Sequence, residues 1–581
     1  MTGPMSAAAE GRTDGAGLAA PAYPWLTRYP AHVDWHQRIE PAAVYQLLDD
    51  AVARYGERFC THFLGRSLTY REIGALVDRT AAGLQALGVG KGAKVGLFMP
   101  NCPTFIVYYF AILKAGGTVV NYNPLYAHEE LAAQVRDSET SLMVTLDLAA
   151  LFNKVEVLLR DGTLDRAIVT SFTALLPWGK SLLFRLLKRR DLARPDKSAV
   201  RHKIVRDADL LAQPWAFVPP AIDPDEDIAV LQYTGGTTGT PKGAMLSHAN
   251  VTANAAQSVA WASGIGEGDE RVLAVLPFFH VFAMTAVMNY GLMRGAEIVL
   301  MPRFVLDEAI ELIDRMKPTV MPGVPTMFVA ILGHSQRASY DLSSLKYCVS
   351  GGAPLPIEVK REFEALTGGK VVEGYGLSEA SPVVTCNPPE GPVKAGSIGQ
   401  PLPGTVVSLR DLADPAVEVP LGEKGEICVK GPQLMKGYWR RPEETAQQFV
   451  GDFLRTGDVG RMDEEGFCFI VDRIKDLIIS SGYNVYPRRI EDALCEHPAV
   501  EEATVIGIHD DYRGEAPKAF VKLRPGATAS VEELRRHLEG RISKIETPAE
   551  IELRGPLPRS MIGKLSKKEL KAEEEARRKP R

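Results

Sequence analysis

No two of the seven cysteines form a Cys-x-x-Cys pair, and their number is odd. Nothing here suggests a disulfide framework or a zinc ribbon, so a reduced, intracellular chain is expected. Long apolar runs are also missing. The longest, Phe105 to Leu113, is closed by Lys114. It is too short to span a bilayer and reads as a buried core helix. Met1 to Ala20 is Ala/Gly-rich and lacks the basic start and apolar run of a secretory signal. Residues 1–36 are expected to be a flexible tail. There is no basic excess: the formal net charge is −5, which gives no reason to expect nucleic acid as a partner. No Gly-x-Ser-x-Gly occurs, which sets an α/β-hydrolase esterase aside. No internal repeat is visible.

A chain of 581 residues exceeds what one core usually holds, so at least two domains are expected. From Pro41 strand and helix patterns alternate. Leu68–Ile73 reads as a strand entering a helix that runs to Leu87, Val95–Met99 as a buried strand, Thr104–Lys114 as a helix and Thr118–Asn121 as the next strand. This rhythm argues for α/β units with a mainly parallel sheet. Residues 172–194 break it. Leu175, Leu176, Leu182, Leu183, Leu186 and Leu187 fall on one helical face, while Ser181, Arg185, Lys188 and Arg189 fall on another, with Trp178 near the start. A basic amphipathic helix suits an anionic membrane surface; an ordinary packed surface helix is the other reading. Residues 396–472 show short strands and many turns, a small β-rich subdomain. Residues 475–570 read as a separate α+β domain and 571–581 as a charged tail.

The stretch most informative about chemistry is Leu231–His248. A strand, Ile228–Tyr233, gives way to glycines and threonines and ends in Pro241-Lys242-Gly243. Glycines let backbone N–H groups turn inward, and successive inward N–H groups form an anion nest. Thr234, Thr237 and Thr238 add hydroxyls and Lys242 a mobile cation, as polyphosphate binding requires. It is not a Walker loop, since no Gly-Lys-Ser/Thr follows at the required spacing. Three further turns follow predicted strands. Val272–His280 ends on aromatics and a histidine, which alone is more often a core residue than a catalyst. Tyr347–Pro354 runs into Gly351-Gly352-Ala353-Pro354. Glu373–Glu379 offers an aromatic, a hydroxyl and a carboxylate. Ligands of open α/β sheets gather beyond the carboxyl ends of strands, so these turns fit one nucleotide–metal crevice.

These residues resemble the adenylate-forming superfamily, the AMP-binding acyl-CoA synthetases, over about residues 41–570. The likeness is greatest to bacterial long-chain fatty acid–CoA ligases. It is carried by Tyr233-Thr-Gly-Gly-Thr-Thr-Gly-x-x-Lys-Gly-Ala-Met-Leu246, by Glu373-Gly-Tyr-Gly-Leu-Ser-Glu379 and by Val429-Lys-Gly-Pro-Gln-x-Met-x-Gly-Tyr-Trp439. The resemblance implies a large N-terminal α/β domain (37–474) and a mobile C-terminal domain. It implies a reaction in two halves: a carboxylate attacks the α-phosphorus of ATP, and CoA then takes the acyl group from the adenylate. Thr234, Gly235, Gly236, Thr237, Thr238, Gly239 and Lys242 would hold the outer phosphates. Gly351, Gly352, Ala353 and Pro354 would line the adenine, with Tyr375 between Gly374 and Gly376 stacking on it. Ser378 stands where the family usually has threonine, and Glu379 would hold Mg²⁺. Asp458, in Thr456-Gly-Asp458, would bind the ribose, and Arg473 would contact the nucleotide from the hinge side. Lys475 marks the hinge, Lys564 the catalytic lysine, and Ser481-Gly482-Tyr483 the approach of CoA. The acyl pocket would lie beside His280. A gating tryptophan of some long-chain members is replaced here by Met284.

The implied partners are fatty acid, ATP and CoA, in a cytoplasmic protein peripheral to the inner face of a membrane. A homodimer is left open. Medium-chain or aryl acid–CoA ligation, and acyl transfer to a carrier protein, are the alternatives. A catalytically dead membrane-docked sensor is more distant, because Glu379, Asp458 and Lys564 are all present. Lys564→Ala is expected to slow adenylation by orders of magnitude. Thiolation of supplied acyl-adenylate should stay largely intact, which a two-stage assay of the half-reactions would check.

Overall fold

The computed structural model describes residues 23–234, 241–263, 270–481, 483–510, 512–559 and 565–578. Two large sheets dominate. One has eight strands, in the order Gly437–Tyr438, Lys242–Ser247, Ile228–Thr234, Thr118–Asn121, Lys94–Phe98, Leu142–Leu146, Arg166–Thr170 and Ile204–Arg206. From Ile228–Thr234 onward its pairs are parallel. The other has nine strands, and Phe59–Phe63, Glu297–Leu300, Arg271–Ala274, Val320–Gly323, Tyr347–Gly351 and Lys370–Gly376 run parallel within it. Parallel sheets need both faces covered. The helix Pro103–Lys114 meets that need: every residue from Pro103 to Leu113 is buried. An all-round apolar helix of this kind belongs inside a core.

A third, five-stranded sheet contains Val406–Arg410, Gly425–Lys430, Phe453–Met462 and Cys468–Arg473. The fourth, built on the long hairpin Val500–Asp510 and Gly514–Leu523, has its own core around Ile478, Ile490, Leu494, Val505 and Leu534. The fold is the expected α/β architecture, a large N-terminal domain with a small C-terminal one.

Several expectations are corrected. The N-terminal tail ends before residue 36: Trp25 is 1% exposed and packs with Tyr23 and Trp35. The helix Lys567–Arg578 runs on through the segment expected as a charged tail, because Glu574 is buried and accepts from Lys518 at 2.9 Å. The strand near Val272 stops at Ala274. There the Asn101 amide donates to the Ala274 and Leu276 carbonyls and accepts from the Phe278 N–H, so a side chain replaces a strand neighbour. Glu373–Gly376 belongs to a strand, and only Ser378–Ala380 forms the turn. Residues 172–194 are not one helix: the helix is Trp178–Leu187, after Pro177, with short 3₁₀ turns on either side.

Arg294 and Glu270 form a fully buried pair at 2.6 Å, with the Tyr290 hydroxyl donating to Glu270 at 3.2 Å. Removing one partner strands a buried charge. Arg294→Met is therefore expected to destabilise the large domain by about 3–5 kcal/mol. Chemical denaturation checks this, and adding Glu270→Gln should recover part of the loss.

Candidate active site

The carboxyl ends of the nine-stranded sheet, the third sheet and the small domain enclose a cleft of about 2670 Å³. Gly351 to Pro354 line it where the strand Tyr347–Gly351 ends, and Gly374, Tyr375, Gly376 and Ser378 line it from the neighbouring strand. Gly351 is required by close packing, since a Cβ there would lie 2.9 Å from the Phe282 ring. Gly352 has φ +81°, open to glycine without strain.

Tyr375 is buried, and its hydroxyl donates to Asp458 Oδ2 at 2.6 Å. Burial, then the Asp458 charge, pushes its pKa well above the ordinary value, so the phenol stays a donor. Arg473 Nε meets Asp458 Oδ1 at 2.8 Å. Asp458 and Arg473 are also directly paired across neighbouring strands. The Asp458 charge, acting before the opposing effect of burial, raises the Arg473 pKa. Both Asp458 oxygens are thus oriented, with lone pairs left over for hydroxyl donors.

A second cluster lies at the end of the polyphosphate loop. Thr234 and Lys242 are paired in register across two antiparallel strands. Lys242 forms an ion pair with Glu444 and sits 5.0 Å over the Tyr438 ring. The Tyr438 hydroxyl donates to Glu379 Oε1 at 2.7 Å. Lys242 and Glu379 are thereby joined through one tyrosine. Tyr438 and Glu444 carried no role in the sequence reading; Tyr438 stands inside the Gly-Tyr-Trp motif, which was the available signal. Glu379 is one carboxylate, and no group of three or more His, Cys, Asp or Glu side chains suited to a metal occurs among the described residues. That donor set fits a Mg²⁺ held chiefly by substrate phosphates.

An apolar arm leaves the cleft between a helix and two strands. Phe282, Ala286 and Tyr290 line it from one side, spaced four apart along the continuous helical stretch Val281–Met293. Tyr347 and Val349 line the other side, alternating along one strand face, with Val320 and Pro322 on the adjacent strand. Tyr290, Tyr347, Trp261 and Cys386 add three aromatic rings and a thiol to the lining. Eight helical residues span about 12 Å. Residues 284–289 form a π-helical turn, a feature common at functional sites.

His280 lines the cleft and caps this helix, its Nδ1 accepting from the Phe282 N–H at 3.2 Å. Met284 does not face the arm: it is fully buried, and its sulfur accepts from the Asn121 amide at 3.6 Å. It lies two residues out of phase with Phe282, about 200° around the helix. Lys475 lines the cleft within the turn Ile474–Asp476. Ser481 and Tyr483 lie on the small domain away from the cleft lining, and Tyr483 is exposed. Gly235, Gly236, Thr237, Thr238, Gly239, Gly482 and Lys564 fall outside the described residues.

A single cleft thus combines a wall of small residues, an oriented buried carboxylate and an apolar arm, an organisation suited to an acid-activating adenylating enzyme. The AMP-binding enzyme family matches residues 48–439, and the AMP-binding enzyme C-terminal domain matches residues 489–564. The chain belongs to the AMP-binding enzyme family. A long-chain-fatty-acid–CoA ligase of Bacillus subtilis (strain 168) is 45% identical over 554 residues, covering 95% of this chain and 98% of that one. 4-Coumarate–CoA ligase 1 of Arabidopsis thaliana is 32% identical over 517 residues, covering 87% and 88%. Among solved structures, ATP-bound MatB from Rhodopseudomonas palustris superposes with a TM-score of 0.80 at 29% identity, covering 93% of this chain and 99% of that one.

Tyr375→Phe removes a hydrogen bond to a charged acceptor, worth about 1.5–3 kcal/mol. The KM for ATP is expected to rise about tenfold or more. The KM for the acid should hardly change, and steady-state kinetics with each substrate varied in turn separates the two.

Proposed function

We propose that this chain is an AMP-forming long-chain fatty acid–CoA ligase. It joins a fatty acid to CoA through an acyl-adenylate, releasing pyrophosphate and then AMP. The observation that carries the reading is the apolar arm opening directly beside the nucleotide wall. An extended chain spans about 1.2 Å per bond, so 12 Å accepts about ten carbons. At about 0.8 kcal/mol per buried methylene, those carbons supply binding that a short or aryl acid lacks. The nearly full-length likeness to a long-chain ligase supports the same assignment.

Adenylation brings one anion against another. Positive charge must therefore be strongest in the transition state, and the reacting groups must be held in line. Asp458, oriented by Tyr375 and Arg473, accepts from the ribose hydroxyls. Gly351 to Pro354 let the base lie against backbone. Lys242 and the threonines of its loop hold the leaving pyrophosphate, and Ser378 keeps the phosphate contact that threonine makes elsewhere in the family. Glu379, fixed by Tyr438, would hold Mg²⁺, whose charge when bound neutralises phosphate oxygens. Lys564 bridges carboxylate and α-phosphate in the first half-reaction. A swing of the small domain at Lys475 then exchanges it for Ser481–Tyr483 and the CoA thiol.

The substrate is a lipid. The same reading therefore sets the enzyme to work peripherally at the inner face of a membrane. No helix among the described residues is long and apolar enough to cross one.

Pyrophosphate release with acids from C4 to C20 and with aryl acids, with and without CoA, tests the assignment. Long-chain acids are expected to give the highest kcat/KM. A faster aryl acid, or thioester formed only on a carrier protein, would replace the reading with its alternatives. Ala286→Phe fills the middle of the arm. It is expected to lower kcat/KM for a C16 acid about tenfold or more while sparing C8, since each lost methylene is worth about fourfold.

A further inference from the structure

The helix Trp178–Leu187 has no buried residue. Trp178 is 85% exposed, and Leu182, Leu183, Leu186 and Leu187 are between 50% and 73% exposed. Large apolar side chains gathered on one short element are unusual at a free surface. The helix is nonetheless held in place. The Phe184 ring packs on Phe172 at 5.1 Å. Lys180 Nζ donates to the Leu64 carbonyl at 2.9 Å, and Arg185 Nε to Thr173 at 3.0 Å. Beyond it the chain is pinned again, Ala193 N–H donating to the Asp147 carbonyl at 2.8 Å. The inward side thus consists of Ser181 and Phe184, and the leucines point away from the protein.

Charge decides what covers them. Between Leu175 and Arg194 stand Lys180, Arg185, Lys188, Arg189, Arg190 and Arg194 against the single acid Asp191. That is a local net charge of +5 on a chain whose formal net charge is −5. Lys188, Arg189 and Arg190 directly follow the leucines and are exposed. A second copy docking face to face would set this +5 patch against itself. A bilayer rich in anionic phospholipid offers both an apolar interior and a negative surface. An exposed tryptophan at the end of the apolar row suits the polar–apolar boundary of a membrane.

We infer that Trp178–Leu187, with the basic run Lys188–Arg190, is the contact by which this protein docks on an anionic bilayer. The leucines enter the headgroup–acyl boundary and the basic side chains neutralise phosphates around it. This deepens the peripheral reading given above and rests on it.

Flotation of the full-length protein with vesicles of phosphatidylcholine, with and without one-third phosphatidylglycerol, tests the contact. One variant carries Trp178→Ser, Leu183→Ser and Leu187→Ser; another carries Lys188→Glu, Arg189→Glu and Arg190→Glu. All six side chains are exposed, so both variants should fold and release pyrophosphate from a soluble C8 acid at the wild-type rate. The wild type is expected to float with the anionic vesicles and to be released by salt, and each variant to lose about tenfold or more of that binding. If both variants float like the wild type, the protein is peripheral but this contact is wrong. If the wild type floats with neither vesicle, the contact and the peripheral reading both fall, while the ligase reading stands on its own assay. A concentration-dependent dimer without flotation, abolished by the leucine substitutions, would assign the helix to a second copy instead.

Discussion

Asp458 is a buried carboxylate held from two sides, and much of the cleft is arranged to hold it. Tyr375 reaches it from the nine-stranded sheet, and Arg473 from the last residue of the neighbouring strand in the third sheet. A buried carboxylate without partners is costly. Its two partners therefore bind the large sheet, the third sheet and the start of the hinge turn into one geometry. Because Gly351 and Gly374 are paired in register, the small-residue wall beside Tyr375 is fixed by the same constraint. The acceptor is pre-organised before any ligand arrives, which is how a site avoids paying for orientation during the reaction.

The apolar arm shares a wall with that site. Phe282 rests against Gly351, so its ring stands where the small-residue wall meets the apolar arm. Along the same helix the wall runs past the small Ala286 to Tyr290, whose hydroxyl is tied to the buried Glu270–Arg294 pair. The far end is consequently both rigid and polar behind its rings. Flexible apolar ends tolerate many chain lengths, whereas this one resists repacking, because moving Tyr290 would disturb a buried ion pair.

Much of this was legible in sequence, for local reasons. Pro103–Lys114 is apolar all round, and the helical spacing that runs to Leu87 marks the helix that the Thr69–Glu72 capping box begins at Tyr70. The small-residue turn that begins at Gly351 lies at the strand end the pattern indicates. What escaped depends on contacts distant in sequence. Trp25 is buried because Gly466, at φ +76°, leaves room for its backbone; a Cβ there would lie 2.3 Å from Trp25 Cα. No periodicity near residue 25 reports that. The Tyr438–Glu379 bond links two motifs that were each visible, though their meeting was not. Where Met284 points is set by helical phase and by the π turn, which its position after a histidine does not reveal. The outward leucines of Trp178–Leu187 were readable as an amphipathic pattern, but a pattern alone does not say which face a fold leaves bare.

The small domain completes the cleft on different terms. It is built around a core of its own, and Lys518 is buried among Glu550, Glu552 and Glu574, which pins the C-terminal helix to its sheet. Its contacts to the large domain are of another kind. Asp472, whose near oxygen is held by the neighbouring Arg473 N–H, accepts from the Arg488 N–H of the small domain at 2.9 Å, and Lys424 of the large domain sits 4.5 Å over the Tyr486 ring. Burial raises the Asp472 pKa, and those two N–H groups oppose the rise. Polar contacts that water can replace are inexpensive to exchange; an apolar seam of similar size would lose its full burial energy on opening. A rigid body joined through a short turn and a polar boundary is suited to a proposed swing about Lys475. The acyl arm and the Asp458 site lie wholly in the large domain and need not move with it. On that division of labour, the part that must be held still is built on buried charge and packed aromatics. The part that must move is attached through contacts that can be remade with different partners.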